Sequence, residues 1–469
     1  MRHRQSLLPT TLPLLLACSL AAQDGASTFG HARARELADL GRLPTAAEIV
    51  VRDIVNYHRH RLPLPSIDRA IAVEVRRDLA AAQVGDEVWL QFGYTTAPQG
   101  DRALAPPAAV ALVVDTSGSM ADAGKLDAVQ RGLRAFVERL RPDDEVALVT
   151  FATDAAVRVP LQRRGDGRWL RDAIDALRPD GNTNLHAGLM QGLDQLGKAT
   201  DSTRQRRLVV LTDGIANQGV TDPSAIIADA QRRAERTVDI STIGVGQSLD
   251  VPLLQRLAHG CRGLFHFVAD GRDVQKVFVA EADAMLGAVA RGLQFAIELE
   301  RGLQVVQVLH EGARVLGNRV EIDLPDANAG LTAVVMMRCR VVDPGLDHLV
   351  VRADLKHTPV ANGIATADGA LILGRSALLR GMAYEPPAQA IDVEVRKNAA
   401  IAVIGQGLAD MAVQCDARRW ADADRALQRA TAEAVLLFPG NDDDVQRVRD
   451  IVAGHRQTLR RYVDRFREF

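Results

Sequence analysis

The sequence is poor in cysteine: Cys18, Cys261, Cys339 and Cys415 lie far apart and form no CxxC pair. That spacing argues against a zinc ribbon or a thiol redox motif, and the three cysteines beyond Cys18 are expected to be buried free thiols. Lysine is scarce too. Lys125, Lys198, Lys276, Lys356 and Lys397 are the whole complement, so basic charge is carried by Arg. The arginines are scattered among Asp and Glu and the formal net charge is −2, which leaves no global field for nucleic acid or an anionic membrane. Beyond the N-terminus, no apolar run approaches the length of a transmembrane helix. What is present is ordinary: 47% hydrophobic and 25% charged residues, as in a soluble globular protein. At 469 residues the chain is too long for one core and predicts several domains.

The one short apolar run at the start has its own logic. Arg2 and Arg4 precede Leu7 to Leu20, a core broken by Pro9 and Pro13, and Ser19-Leu20-Ala21 offers small residues at cleavage spacing. Residues 1–22 therefore read as a signal peptide of an exported protein, placed in the periplasm, in the cell envelope or outside the cell. Leu15-Leu16-Ala17-Cys18 also resembles the lipobox of bacterial lipoproteins, although Leu16 is not the small residue preferred there. Membrane association is expected only if Cys18 is lipidated.

Residues 23–66 read as a helical N-terminal segment stopped by Pro63 and Pro65. His58 and His60, two apart on such a helix, would point to different faces and are expected on the surface. Residues 67–105 hold two strands, "AIAVEVRRD" and "DEVWLQFGYTT", followed by the linker "APQGDRALAPP". Two strands alone are marginal, so these are expected to pair with strands within 293–355. Over 106–288 continuous apolar strands alternate with amphipathic helices, the pattern of a doubly wound, mainly parallel α/β sheet. Residues 289–385 read as a β-sandwich in which that α/β domain is inserted, and 386–469 as a helical tail. There "DARRWADADRALQRA" resembles half of a tetratricopeptide hairpin.

Inside the α/β region, "VALVVDTSGSM" runs from five apolar residues, Val110 to Val114, straight into Asp115, Thr116, Ser117, Gly118 and Ser119. Two further loops carry short oxygen-bearing residues at element ends: "GNTN" with Thr183 ahead of a helix, and "LTDG" with Asp213 after a strand. Singly, each is what turns and helix caps also use. Jointly they place Asp115, Ser117, Ser119, Thr183 and Asp213 at the carboxyl edge of the sheet, where ligands bind in such folds. Oxygen ligands alone suit a hard divalent cation, Mg²⁺ first, with Mn²⁺ or Ca²⁺ as alternatives.

These residues resemble the metal-ion-dependent adhesion site of von Willebrand factor type A domains, whose Asp-x-Ser-x-Ser, Thr and Asp fall on the same five positions. Gly188, five residues after Thr183, also fits the family. The resemblance implies direct ligation by the three hydroxyls, with the two carboxylates acting largely through water. It implies as partner a protein offering an Asp or Glu carboxylate to the metal. The segment "LADLGRLPTAAEIVVRDIVNYHRHRLPLP" looks, more loosely, like bacterial secreted or lipoprotein members related to inter-alpha-trypsin inhibitor heavy chains.

Enzymatic readings find less support. "GSMADAGKL" has the wrong glycine spacing for a phosphate loop and lacks Ser or Thr after Lys125; "HEGAR" lacks the second histidine of HExxH. A metal-dependent hydrolase would need a base, for which His186 near Thr183 is the one candidate. A subunit serving an ATPase-driven or chelatase-type assembly conflicts with export. The expectation is therefore an exported, non-catalytic binding or adhesion protein.

Overall fold

The computed structural model describes residues 29–467 apart from 67–68, 80–81, 83, 98–106, 200, 202–203, 236, 247–248, 269–273, 300–301, 343–350, 360–365 and 373–390. The expected signal peptide with Cys18, most of the linker before residue 107, and the start of the expected C-terminal helical region fall outside these residues. Among the described residues no helix is long and apolar enough to cross a membrane.

At the N-terminus α1 (Phe29–Asp39) and the short α2 (Val51–Val55) precede β1 (Ile71–Arg77) and β2 (Glu87–Thr96). The α/β unit follows: β3 (Ala108–Asp115), α3 (Lys125–Arg139), β4 (Glu145–Phe151), β5 (Ala155–Arg163), α4 (Arg168–Asp175), α5 (Leu185–Leu196) and β6 (Gln205–Thr212). It closes with α6 (Pro223–Ala234), β7 (Val238–Val245), α7 (Val251–Gly260), β8 (Arg262–Val268) and α8 (Val274–Leu286). Its strands form one sheet in the order β5-β4-β3-β6-β7-β8, parallel except for the edge strand β5.

The unbroken apolar run of β3 is explained by cover on both faces. Val110, Leu112 and Val114 pack with Leu126, Leu133 and Phe136 of α3 and Phe278 of α8. Ala109, Ala111 and Val113, on the opposite face, pack with Leu189 of α5, Ile226 of α6 and Leu254 of α7.

The remaining strands are β9 (Ala288–Leu299), β10 (Leu303–Leu309), β11 (Arg314–Leu316), β12 (Arg319–Asp323), β13 (Ala327–Asn328), β14 (Thr332–Val341), β15 (Val351–Pro359) and β16 (Thr366–Ile372). They build two antiparallel sheets, β1-β2-β14-β10 and β11-β12-β9-β15-β16, with β13 added to β9. β2 pairs with β14 from Thr95↔Thr332 to Glu87↔Arg340, so the α/β unit sits between two halves of one sandwich. Expressed alone, 106–288 should therefore fold, because all its sheet partners are internal. A fragment 289–375, deprived of β2, should fail to unfold cooperatively in a thermal melt.

Three helices end the chain: α9 (Val393–Asp416), α10 (Trp420–Leu437) and α11 (Asp443–Arg467). They are not a tail. Ile401, Ile404, Leu408 and Met411 of α9, Leu427 of α10 and Val448 and Ile451 of α11 share a core with Ala34 of α1 and Ile54 of α2. Chain start and chain end thus form one helical layer, which lies on the sandwich. β14 shows why. Its odd residues Val335, Met337 and Cys339 face the sandwich core, while Val334 and Met336, with Trp89 of β2, face Val395, Ala399 and Val403 of α9.

That layer corrects two expectations. The segment 29–66 is helical only in α1, one 3₁₀ turn at Ala46–Glu48 and α2, and runs irregularly from residue 59. His58 and His60, expected on the surface, are buried at 8% and 5% exposure. Their rings lie 4.5 Å apart beneath the helical layer, with Asp444 of α11 4.0 Å from His58. The cysteines match expectation: Cys261, Cys339 and Cys415 are buried and free. Burial pushes the Cys339 and Cys415 thiols up to about 12, leaving them unreactive.

Candidate metal centre

In this sheet β3 is followed by β4 on one side, while the chain returns to β6 on the other, so the winding direction switches between β3 and β6. A crevice opens beyond the carboxyl ends of the strands at such a point. Asp115 ends β3 there, wholly buried. Its Oδ1 accepts a hydrogen bond from the Ser117 N–H at 2.8 Å and its Oδ2 one from the Thr212 hydroxyl at 2.6 Å. Burial holds its carboxyl above the usual range; the hydrogen bonds from Thr212 and Ser117 act against that, and nearby Asp213 adds to it.

Ser117 is buried and Ser119 exposed at the mouth, their hydroxyl oxygens 3.1 Å apart. Ser119 Oγ donates to Oδ1 of the buried Asp213 at 2.7 Å. The second loop is stitched to the first: Gly118 N–H donates to Gly181 O at 3.0 Å, and Asp180 N–H to Thr116 O at 2.6 Å. Gly181 has φ +72°, and a Cβ there would fall 2.5 Å from Thr153 Oγ1, so this crossing requires glycine. Thr183 is fixed through its backbone by Asn217, its N–H donating to Oδ1 at 2.8 Å while its carbonyl accepts the Asn217 N–H at 3.1 Å. Its hydroxyl faces the third loop, since a Cβ built on Gly214 would lie 3.5 Å from Thr183 Oγ1. The helix that follows is capped by Asn184, which accepts from the Ala187 N–H.

The structure thus gathers all five sequence-predicted residues at one edge. The donor set fits a hard divalent cation. In an octahedron with bonds of about 2.1 Å, neighbouring oxygens stand roughly 3.0 Å apart, close to the 3.1 Å between Ser117 and Ser119. Because Ser119 sends its proton to Asp213, its lone pairs remain for a metal. Among the described residues no group of three or more His, Cys, Asp or Glu could hold a metal ion, so a cation here must rely on hydroxyls. His186, the candidate base, bonds instead to Asp229 on α6 at 3.0 Å.

Sequence reading missed the supports. Thr212 and Asn217 hold Asp115 and Thr183 in place, and Lys125, weighed only as part of a phosphate loop, forms an ion pair with Asp213 at 2.6 Å. Thr212 stands directly before Asp213, and a lone lysine six residues past Ser119 in an arginine-rich chain was the available signal.

Gly188, on the helix that follows the second loop, sets how closely that helix approaches the sheet. A Cβ there would stand 2.6 Å from Cδ1 of Phe151, so α5 rests directly on β4. Gly188→Ala should cost about 1–3 kcal/mol by overpacking and shift Thr183, giving a lower thermal midpoint and weaker metal binding in the same variant.

Residues 109–280 match the family model of the von Willebrand factor type A domain. The chain carries a von Willebrand factor type A domain. Such domains commonly mediate protein–protein interactions, generally without enzymatic activity, and bind a divalent metal at an adhesion site. The chain is 29% identical over 278 residues to the uncharacterised protein YfbK of Escherichia coli (strain K12), covering 58% of this chain and 48% of that one. It is 26% identical over 217 residues to human inter-alpha-trypsin inhibitor heavy chain H3, covering 45% of this chain and 24% of that one. The matched stretch thus spans about half of YfbK and about a quarter of heavy chain H3. A solved structure of a von Willebrand factor type A protein from Catenulispora acidiphila shares the fold, with TM-score 0.53 and 15% identity over 79% of this chain and 90% of that chain.

Proposed function

We propose that the von Willebrand factor type A domain holds a divalent cation, Mg²⁺ or Mn²⁺, and through it binds an acidic side chain of a protein partner. Ser117, Ser119 and Thr183 supply direct oxygens; Asp115 and Asp213 orient them and balance charge. The supporting observation is the hydrogen-bonded chain Ser117–Ser119–Asp213 beside Asp115, with the Thr183 hydroxyl against the same loop. Uncharged direct ligands leave the cation electrophilic, so a carboxylate in its open position strengthens both interactions. The protein acts as an exported binding or adhesion protein, not as an enzyme. Export is supported by the sequence of residues 1–22, and the non-catalytic reading by the engagement of His186 with Asp229.

The test is capture of a partner from source-cell envelope extract with the mature protein as bait. Capture should require Mg²⁺ or Mn²⁺, disappear in EDTA and be lost in Thr183→Ala; undiminished capture in EDTA would show that the partner binds elsewhere. For export, the intact mass of protein from its source should lack the first seventeen to twenty-two residues, whereas a chain still starting at Met1 would refute it. Diacylglycerol on Cys18 would mark the lipoprotein form.

A further inference from the structure

We propose that Lys125 is a resident counter-cation of the metal centre, one that holds its affinity for a divalent ion down. The inference rests on the metal reading above and adds a residue that sets its strength. Lys125 Nζ lies 2.6 Å from Asp213 Oδ2 and 3.4 Å from Ser119 O. The two oxygens of Asp213 are thus divided, Oδ1 to the Ser119 hydroxyl and Oδ2 to the ammonium. The hydroxyls mark the side from which a metal would be held, and Lys125 reaches the same carboxylate from α3. Metal and lysine therefore need not exclude each other, and a lysine that stays repels the incoming ion.

Two features indicate that Lys125 is held by this carboxylate rather than by its helix. It is the first residue of α3, where a positive charge opposes the helix dipole. It is also one of only five lysines in a chain that otherwise uses Arg. A compact ammonium can sit on one carboxylate oxygen and leave the other to Ser119, whereas the planar fork of Arg favours taking both.

The charge balance gives the consequence. Asp115 and Asp213, both buried, are two negative charges in a site of low dielectric, and Lys125 offsets one of them when no divalent ion is bound. A divalent ion then leaves the centre with one net positive charge, which one carboxylate from outside would neutralise. Without the lysine the loaded centre would already be neutral.

The experiment is titration of Mn²⁺ into the full chain, followed by electron paramagnetic resonance, with thermal midpoints measured with and without metal. Lys125→Met should bind Mn²⁺ about tenfold more tightly than wild type. Without metal Lys125→Met should melt lower than wild type, and it should gain more on adding Mn²⁺. Lys125→Gln, neutral and shorter, should reproduce the tighter binding if Lys125→Met does not fold. If wild type binds Mn²⁺ and the neutral variants bind it equally or more weakly, Lys125 is only a tie between α3 and the β6 loop and the inference fails alone. If neither wild type nor any variant binds Mn²⁺, the metal reading fails and takes this inference with it.

Discussion

In Asp115→Ala, divalent metal binding should weaken by about a hundredfold, with metal-dependent partner capture falling to background. The effect is large because Asp115 joins two parts of the centre. It fixes the loop after β3 through the Ser117 N–H and the end of β6 through the Thr212 hydroxyl. The fold should survive. Removing Asp115 strands the two donors, at a cost of about 1–3 kcal/mol each if they stay dry, but it also removes a carboxylate whose charged form burial disfavours. The two effects oppose each other, so circular dichroism and a thermal midpoint near wild type should accompany the loss of binding. Unfolding of Asp115→Ala would instead make Asp115 a structural residue first.

Acid should open the helical layer well before it opens the α/β unit. Burial holds His31, His58 and His455 down to about 4, and His60 well below its usual range. His31 stacks on Tyr57 with ring centroids 3.9 Å apart, and the His455 Nε2–H donates to Ala34 O at 2.9 Å. A histidine depressed in the fold takes up its proton on unfolding. Its stabilising contribution is therefore complete above pH about 6.5 and is lost as pH falls through about 4. A shift of that size is worth on the order of 3 kcal/mol per histidine at most, so several together exceed the margin of a small helical layer.

Asp326 in the sandwich works the other way. Burial first, and neighbouring Asp239 second, raise it to about 6, so its contribution falls as pH rises through that value. Residue-resolved hydrogen exchange separates the two. Protection in α1 and α9 to α11 should collapse between pH 6.5 and 4 while that of β3 and β6 persists. His455→Gln should flatten the slope by about one proton; uniform protection across that range would refute the account.

Much of the fold was legible because burial on two faces leaves a plain mark. "VALVVD" and "RLVVLTDG" read as covered parallel strands, and each ends in the polar residues that the switch point collects. "LTAVVMMRCRVV" carries the same mark, since β14 is covered by the sandwich on one face and by α9 on the other. What covered its second face was not legible. The partners of Trp89, Val334 and Met336 are helices at the two ends of the chain, and no local period announces a contact between Ala34 and His455. The burial of His58 and His60 is illegible for the same reason: local spacing says which way a side chain points, not what later packs over it. At the centre, the five candidate residues stand in a spaced motif. Asn217 and Lys125 act by reaching into loops remote in sequence, which only the folded chain brings beside them.

The central claim is that three hydroxyls and two carboxylates form a cation site at the end of β3. Anomalous diffraction from crystals soaked in Mn²⁺ tests this directly. The account predicts a single strong peak in contact with Ser117 Oγ, Ser119 Oγ and Thr183 Oγ1 at about 2.1–2.2 Å, absent in Asp115→Ala crystals grown under the same conditions. No peak at that position, or manganese held only by surface carboxylates elsewhere, would contradict it.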